Sequence, residues 1–291
     1  MKESAWSFTR EKHNDTYPLI NPANIDHSSH RVFITGASKA IGRAIALSYA
    51  KAGAKVIGVC ARSDISNLEK EIKDAAKQSG KQVPEVFAES LDITDRKAVE
   101  AAAKSFGEKY GHLDILINNA GYLPAYALHG DFDPDDWWQG WEVNVKGTFL
   151  VTRSFLPLLF KSPTKTLINL CSSTAFHPAS GCSGYCLTKF VNIRTTELLV
   201  NDYGDKGLLS YAVHPGAIVS DMSLKLPEVI QHYLMDTDEL PADTIVWLTA
   251  ERREWLAGRY VDATWDMEEF MSMKELVVDK ELLKIRLTVP E

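Results

Sequence analysis

Tyr185 and Lys189 stand four residues apart in a predicted helix, residues 183–203, so both side chains project from one face and can act on one substrate. A phenol, with a pKa of about 10, is nearly inert as an acid or base at neutral pH. A nearby ammonium stabilises the phenolate and moves it toward the working range, which makes the pair suited to exchanging a proton with a carbonyl or alcohol oxygen. Ser172 stands thirteen residues earlier, at the end of the predicted strand TLINLCSS, with Ser173 as its only close rival. A hydroxyl there can stabilise a developing alkoxide.

A second constellation lies near the start of the chain. The run RVFIT ends in Thr35-Gly36-Ala37-Ser38-Lys39-Ala40-Ile41-Gly42 and passes directly into a helical pattern. Backbone N–H groups of Gly36, Ser38, Ile41 and Gly42, with the positive end of the helix, then face whatever sits at the turn, an arrangement that suits a pyrophosphate. The generic Gly-x-Gly-x-x-Gly spacing is absent. At the end of the second strand an NAD site would offer a carboxylate to the ribose 2′-hydroxyl, whereas a 2′-phosphate requires a cation. Ala61 occupies the acid's position and Arg62 follows it, so NADP(H) is the expected cofactor. Asp64 lies past the strand end and is read as a cap of the next helix.

The elements that must position these groups follow from alternation along the chain. RVFIT, KVIGVCAR and EVFAESLDIT are each followed by an amphipathic run. The pattern continues with DILINNAG, a long helical stretch around residues 137–160, TLINLCSS, the helix 183–203, LLSYAVHPG and a last strand near GRYVDATW. This predicts an α/β fold: a doubly wound parallel sheet of about seven strands, of Rossmann type, covered on both faces. No linker divides the strands, so residues 29–291 are expected to form a single domain. Residues 1–28 form a polar leader outside the sheet, either an arm or disordered. Residues 222–240, containing Pro227 and followed by Pro241, follow a strand at the end where such sheets bind ligands, and are read as a substrate lid. The lid, with wall residues Tyr122, Pro178 and Cys182, would set pocket shape.

The order of the motifs resembles the short-chain dehydrogenase/reductase family. The turn is similar to the family's Thr-Gly-x-x-x-Gly-x-Gly, with Ala40 replacing the middle glycine. Asp92-Ile93, Asn118-Asn119-Ala120-Gly121, Asn144, Ser172, Tyr185-x-x-x-Lys189 and Pro215-Gly216 then follow in the family's order over about 180 residues. The resemblance covers residues 31 to about 265. It implies that Tyr185 gives its proton to a carbonyl oxygen as hydride arrives from the nicotinamide. Lys189 would also hydrogen-bond the nicotinamide ribose, Ser172 orient and polarise the carbonyl, and Asn144 hold a water linking Lys189 to solvent.

The resemblance extends to cofactor contacts. Lys39 matches a second basic position of NADP-preferring members. Asp92, with Ile93, would lie at the adenine; Asn118, Ala120 and Gly121 would support the adjoining ribose and the strand–helix packing. Pro215, Gly216, Ile218 and Ser220 look like the nicotinamide-side loop, Ile218 offering backbone contacts to the carboxamide and Ser220 standing where threonine is commoner. Family members usually assemble through the fourth helix and the next, which assigns Trp137, Trp138, Trp141, Phe155 and Phe160 to core and subunit packing and implies a homo-oligomer. His177 and His214 are read as pocket wall. Asp15-Thr16-Tyr17-Pro18, Gly258-Arg259-Tyr260-Val261-Asp262 and Trp265-Asp266 resemble fungal members, many of which act in secondary metabolism.

The expected activity is NADP(H)-dependent hydride transfer between nicotinamide and a carbonyl or secondary alcohol, with ketone reduction the favoured direction. A non-catalytic NADP(H)-binding sensor or scaffold is the alternative from another class; the complete Asn144, Ser172, Tyr185 and Lys189 set speaks against it. An isomerase or cyclase on the same fold is a third reading.

Composition narrows the partners. The 291 residues are 45% hydrophobic and carry a formal charge of −7, with pI near 5.7. That balance gives no support for nucleic-acid binding, which needs a basic surface to displace counterions. Cys60, Cys171, Cys182 and Cys186 show no framework of spacings and are read as reduced thiols of an intracellular protein. Cys182 and Cys186 lack a second ligand pair, so no metal is expected. The charged leader is no secretory signal, and the most apolar run, residues 149–160, is interrupted by Arg153 and too short to span a bilayer. A soluble, cytoplasmic protein acting on a small molecule is expected.

Overall fold

A computed structural model describes residues 8–177 and 179–287. Seven strands, β1 (Arg31–Thr35), β2 (Val56–Ala61), β3 (Glu85–Ser90), β4 (Ile115–Asn118), β5 (Thr166–Leu170), β6 (Leu209–His214) and β7 (Arg259–Asp262), pair in parallel in the order β3-β2-β1-β4-β5-β6-β7. Central strands are buried on both faces, which explains why their sequences are near-continuous apolar runs. Val32 and Ile34 of β1, Ile115 and Ile117 of β4, and Ile168 of β5 enter the core on one face. Phe33, Leu116 and Leu167, one position out of phase, enter the other.

The first face is covered by α1 (Ala40–Lys51), α2 (Leu68–Gln78) and α8 (Glu239–Ala250), through Ile45, Tyr49, Ile72, Ile245 and Val246. The second carries α3 (Arg96–Tyr110), started by Asp95 accepting from the Lys97 and Ala98 amides, and α5 (Thr148–Leu159). Phe155 of α5 is fully buried with its ring 4.3 Å from that of Phe33. Truncating such a side chain costs about 3–5 kcal/mol.

The helical stretch around residues 137–160 is three pieces in the structure. Asp133, followed by Pro134, caps α4 (Pro134–Trp141), which widens into a π-helical turn, Glu142–Gly147, before α5. The wide turn carries Asn144 inward, where it is fully buried; such turns occur most often at functional sites. The long helix α6 (Ser183–Tyr203) has the predicted limits. The segment 222–240 contains a 3-10 turn at Ser223–Lys225 and a short helix α7 (Glu228–Gln231) before α8 begins.

From residue 8 onward the leader is an ordered strap. Phe8 packs on Trp265, the His13 amide donates to the Thr264 carbonyl, and Lys12 bridges Trp265 in antiparallel fashion. Thr16 Oγ1 donates to Asp243, the Met267 amide donates to the Tyr17 hydroxyl, and Ile20 and His27 are fully buried. Past β7, α9 (Met267–Ser272) and α10 (Lys274–Asp279) close the same end, Asp266 capping α9 while pairing with His13. Among the described residues, no helix is long and apolar enough to cross a membrane.

Candidate active site

The strand order reverses between β1 and β4, and the crevice beyond their carboxyl ends is where a doubly wound sheet accepts a ligand. One cleft there is lined by Gly36, Ser38, Lys39, Ile41 and Gly42 after β1, Arg62 after β2, and Asp92 and Ile93 after β3. Ala120 and Gly121 after β4, Tyr185 and Lys189 on α6, and Pro215 and Ser220 after β6 complete it. Asn118, Asn144, Ser172, Gly216 and Ile218 do not line the cleft; they sit behind or beside it. His177 and His214 are also outside its lining, and Pro178 lies outside the described residues.

The glycine-rich turn is held by Asn119, which stands in the motif after β4 but was given no role of its own. Asn119 donates from Nδ2 to the carbonyls of Thr35 and Gly36, at 2.8 and 3.0 Å, and the amides of Asn119 and Ala120 both donate to Thr35 Oγ1. A Cβ on Gly42 would lie 2.2 Å from the Gly36 carbonyl oxygen and 2.5 Å from Asn119 Nδ2, so only glycine fits there. Ala40 adopts φ +45°, the left-handed region that costs a side chain about 1–2 kcal/mol. The replacement of glycine at this position therefore carries a backbone cost as well as an added methyl. Asn118, expected beside a ribose, turns the other way: its Nδ2 donates to Thr152 Oγ1 and Asn169 Oδ1, cross-linking β4, β5 and α5. Neighbouring strand residues face opposite sides, and that alternation sends Asn119 to the cleft and Asn118 into the packing layer.

At the far end of the cleft the cations are exposed and paired. Lys39 Nζ donates to Asp221 at 2.5 Å, and Arg62 lies 3.9 Å from Asp92, whose other oxygen accepts from the amide and hydroxyl of Thr94. Asp64 does not cap α2. It accepts from the amide and hydroxyl of Ser66, closing a turn ahead of the helix, whose first residue is Leu68.

At the near end polar groups are buried in a fixed network. Asn144 Oδ1 accepts from the Tyr122 amide at 2.7 Å, and its Nδ2 donates to the Tyr122 carbonyl and to Thr188 Oγ1. A Cβ on Gly121 would lie 3.5 Å from Asn144 Oδ1 and 3.7 Å from Lys189 Nζ, so the two side chains converge beside that residue. Lys189 Nζ donates to the Leu170 carbonyl at 3.0 Å and lies 5.5 Å from the centre of the Tyr185 ring. Burial pushes the Lys189 ammonium down to about 8. Burial, with smaller contributions from Cys171 and Cys186, holds the Tyr185 phenol well above its ordinary value. This runs against the expectation that Lys189 draws the phenol down: the phenol is buried, and burial penalises its charged form. Tyr185 is thus a neutral phenol, fit to donate a proton.

Ser172 is buried two residues past β5, where its Oγ accepts from the amide and hydroxyl of Thr174. With both bonds accepted, its own proton is left to donate. Tyr122 gives its hydroxyl to Asp136 and lies beneath Lys225 of the 222–240 segment. Cys182 and Cys186 place their Sγ atoms 2.7 Å apart at the start of α6, while Cys60 and Cys171 are buried thiols. Among the described residues, no three His, Cys, Asp or Glu side chains gather as a metal site.

After β6 the chain forms two interlocked turns. Ser220 and Ser223 exchange hydrogen bonds, and Ser223 Oγ donates to the Ile218 carbonyl. Gly216 has φ +97°, and a Cβ there would meet Asp236 Oδ2 at 2.5 Å. Neither Ser223 nor Asp236 was marked by any motif.

The sequence pattern of the family described as short chain dehydrogenase matches residues 30–230. The chain is 42% identical over 286 residues to short chain dehydrogenase mpl6 of Monascus purpureus, covering 98% of each protein. It is 40% identical over 284 residues to short chain dehydrogenase pigC of Monascus ruber, covering 97% of this chain and 94% of that one. Among solved structures, a short chain dehydrogenase from Salmonella enterica superposes with a TM-score of 0.74 at 25% identity, over 85% of this chain and 99% of the other.

Proposed function

Because the chain belongs to the short-chain dehydrogenase family and is an oxidoreductase of that kind, we propose that it transfers hydride between NADP(H) and a carbonyl or secondary alcohol. The observation that carries this reading is the shared cleft: Tyr185 and Lys189 line one end and the glycine-rich turn with Lys39 and Arg62 lines the other. The residues present fit the cofactor. The amide cradle of residues 36–42 at the start of α1 suits the pyrophosphate, and Arg62 and Lys39 suit the 2′-phosphate. Asp92 and Ile93 suit the adenine, Ala120 and Gly121 the adjoining ribose, and the loop from Pro215 through Gly216 and Ile218 to Ser220 the nicotinamide side. Bound NADP(H) supplies or takes up the hydride at the substrate carbon.

The protein's own groups handle the proton. In reduction, Tyr185 donates its phenolic proton to the carbonyl oxygen while Ser172 Oγ–H donates to the same oxygen as negative charge grows on it. Lys189, anchored on the Leu170 carbonyl, has further protons for a ribose hydroxyl, and its charge stabilises the phenolate left behind. Asn144 fixes the chain at Tyr122 beside Lys189 and, in this reading, also holds the water that returns a proton from solvent.

The exposed apolar side chains Phe149 of α5 and Leu187, Phe190 and Leu198 of α6 support assembly of the enzyme with a second copy of itself through these helices. Reduced Cys60 and Cys171 support a cytoplasmic location, and the likeness to Monascus relatives supports a fungal secondary-metabolic role. The test is a screen of ketones and aldehydes followed at the reduced-nicotinamide absorbance, run beside Tyr185→Phe. Loss of the tyrosine proton is expected to lower kcat by about 10²–10⁴-fold. Parental turnover in the variant would rule the mechanism out.

A further inference from the structure

We propose that Asp236 is a positioning residue for the loop after β6 and that the amino-terminal strap, through Asn14, holds it to that task. The inference rests on the proposed cofactor reading and adds a part to it: residues 8–28 lie ahead of the family pattern, which begins at residue 30.

Both carboxylate oxygens of Asp236 are engaged. Oδ2 accepts from the Ala217 amide at 2.6 Å and Oδ1 accepts from Asn14 Nδ2 at 2.7 Å. The Asp236 amide in turn donates to the Ala217 carbonyl, and Ile218 bridges Asp236 as a short parallel pair. Gly216 lets the carboxylate come this close, since any Cβ there would collide with it. The strap reinforces the contact, the Thr237 amide donating to the Asn14 carbonyl and Thr237 Oγ1 donating to Asp15. Pro215 and Ser220, on either side of the pinned peptide, line the cleft.

Hydrogen bonds to an ionised acceptor are about twice as strong as neutral ones. The peptide units around Ala217, which the cofactor reading sets against the nicotinamide, are therefore oriented by a carboxylate whose own rotamer is set from the other end of the chain. The adenosine end is built from the segments after β1, β2 and β3 and meets the loop through the exposed pair of Lys39 with Asp221, beyond the peptide that Asp236 pins. Loosening Asp236 should thus affect the nicotinamide half far more than the adenosine half, which a general loss of packing would not do.

The experiment compares binding of NADP⁺ with that of adenosine 2′,5′-bisphosphate, which carries only the adenosine half, by calorimetry, alongside kcat and the melting temperature. Asp236→Asn is expected to weaken NADP⁺ by about tenfold and to lower kcat at least as much, while the bisphosphate changes by less than about twofold. Asn14→Ala, a milder change at the surface, should give the same pattern at about threefold. Asn14→Asp sets two carboxylates face to face, and adding Asp236→Asn restores the bond with donor and acceptor exchanged, so the double variant should recover toward the parent. Equal weakening of both ligands, or parental NADP⁺ binding and kcat in Asp236→Asn, would overturn the proposal. A parent protein that binds neither ligand would overturn the cofactor reading itself.

Discussion

At one end of the cleft Asn144 and Lys189 are buried and bonded to backbone carbonyls and amides; at the other, the side chains of Lys39 and Arg62 are 63% and 57% exposed and pair with carboxylates in solvent. The first arrangement is fixed before any ligand arrives. Its groups are buried, and desolvation makes each of their hydrogen bonds strong. The second is exchangeable, because an exposed ion pair is worth at most about 1 kcal/mol and a phosphate can replace either carboxylate at little cost. Chemistry is assigned to the rigid end and recognition of the cofactor's charge to the adaptable end.

Four substitutions probe that contrast. The largest effect is expected from Lys189→Met, which should lower kcat by about 10²–10⁴-fold and yet stabilise the fold at pH 7 by about 1–3 kcal/mol. The sign follows from linkage: the folded value, about 8, lies below the unfolded value of about 10.4, so burying the charged form costs stability below pH 8. As pH rises from 8 toward 10 the unfolded chain binds more protons, the parent gains stability, and the advantage of the variant should shrink. Thermal melts at pH 7 and pH 9 check this; a variant less stable than the parent at pH 7 would mean that the lost bond to Leu170 outweighs the relieved desolvation.

Asn144→Ala leaves the Tyr122 amide and carbonyl and the Thr188 hydroxyl without their partner. A cost of about 2–3 kcal/mol is expected in urea unfolding, with kcat falling by about tenfold or more. At the exchangeable end, Arg62→Ala should raise KM for NADPH by about tenfold and leave that for NADH nearly unchanged, with unfolding within about 0.5 kcal/mol of the parent. Equal loss for both cofactors would move the 2′-phosphate site elsewhere. The smallest effect is expected for Ala40→Gly, where relief of the left-handed backbone, offset by glycine's greater unfolded-state freedom, should stabilise by about 0.5–1 kcal/mol.

The same contrast separates what the sequence made legible from what it did not. Seven strand-like runs at βα spacing announced the sheet, and Tyr185 and Lys189 announced one helix face, because periodicity and local spacing carry that information. Asn119 was hidden although it sits inside a quoted motif, since only the strand's phase decides which of two adjacent asparagines faces the cleft. The pairing of Lys39 with Asp221, 182 residues away, and of Asn14 with Asp236, 222 residues away, depends on loops whose paths no periodicity encodes. Ala40 was legible as a departure from a motif, but its positive φ was not. The depth of burial around Tyr185 was equally unreadable, and it reversed the expected direction of the phenol's shift.

The strap gives the molecule an order of assembly in time. Tyr17 receives the Met267 amide, 250 residues downstream, and His13 reaches Asp266, so the strap is made long before the partners it docks on. At synthesis rates of about 5–20 residues per second, the leader waits on the order of tens of seconds for its partners to be made. Until then Asn14 has no place from which to hold Asp236. A chain cut short before residue 259 would hold the first six strands and the tyrosine–lysine pair, yet lack the residues from 264 onward that dock the strap, so the brace on the loop beside them waits for β7 and the turn after it.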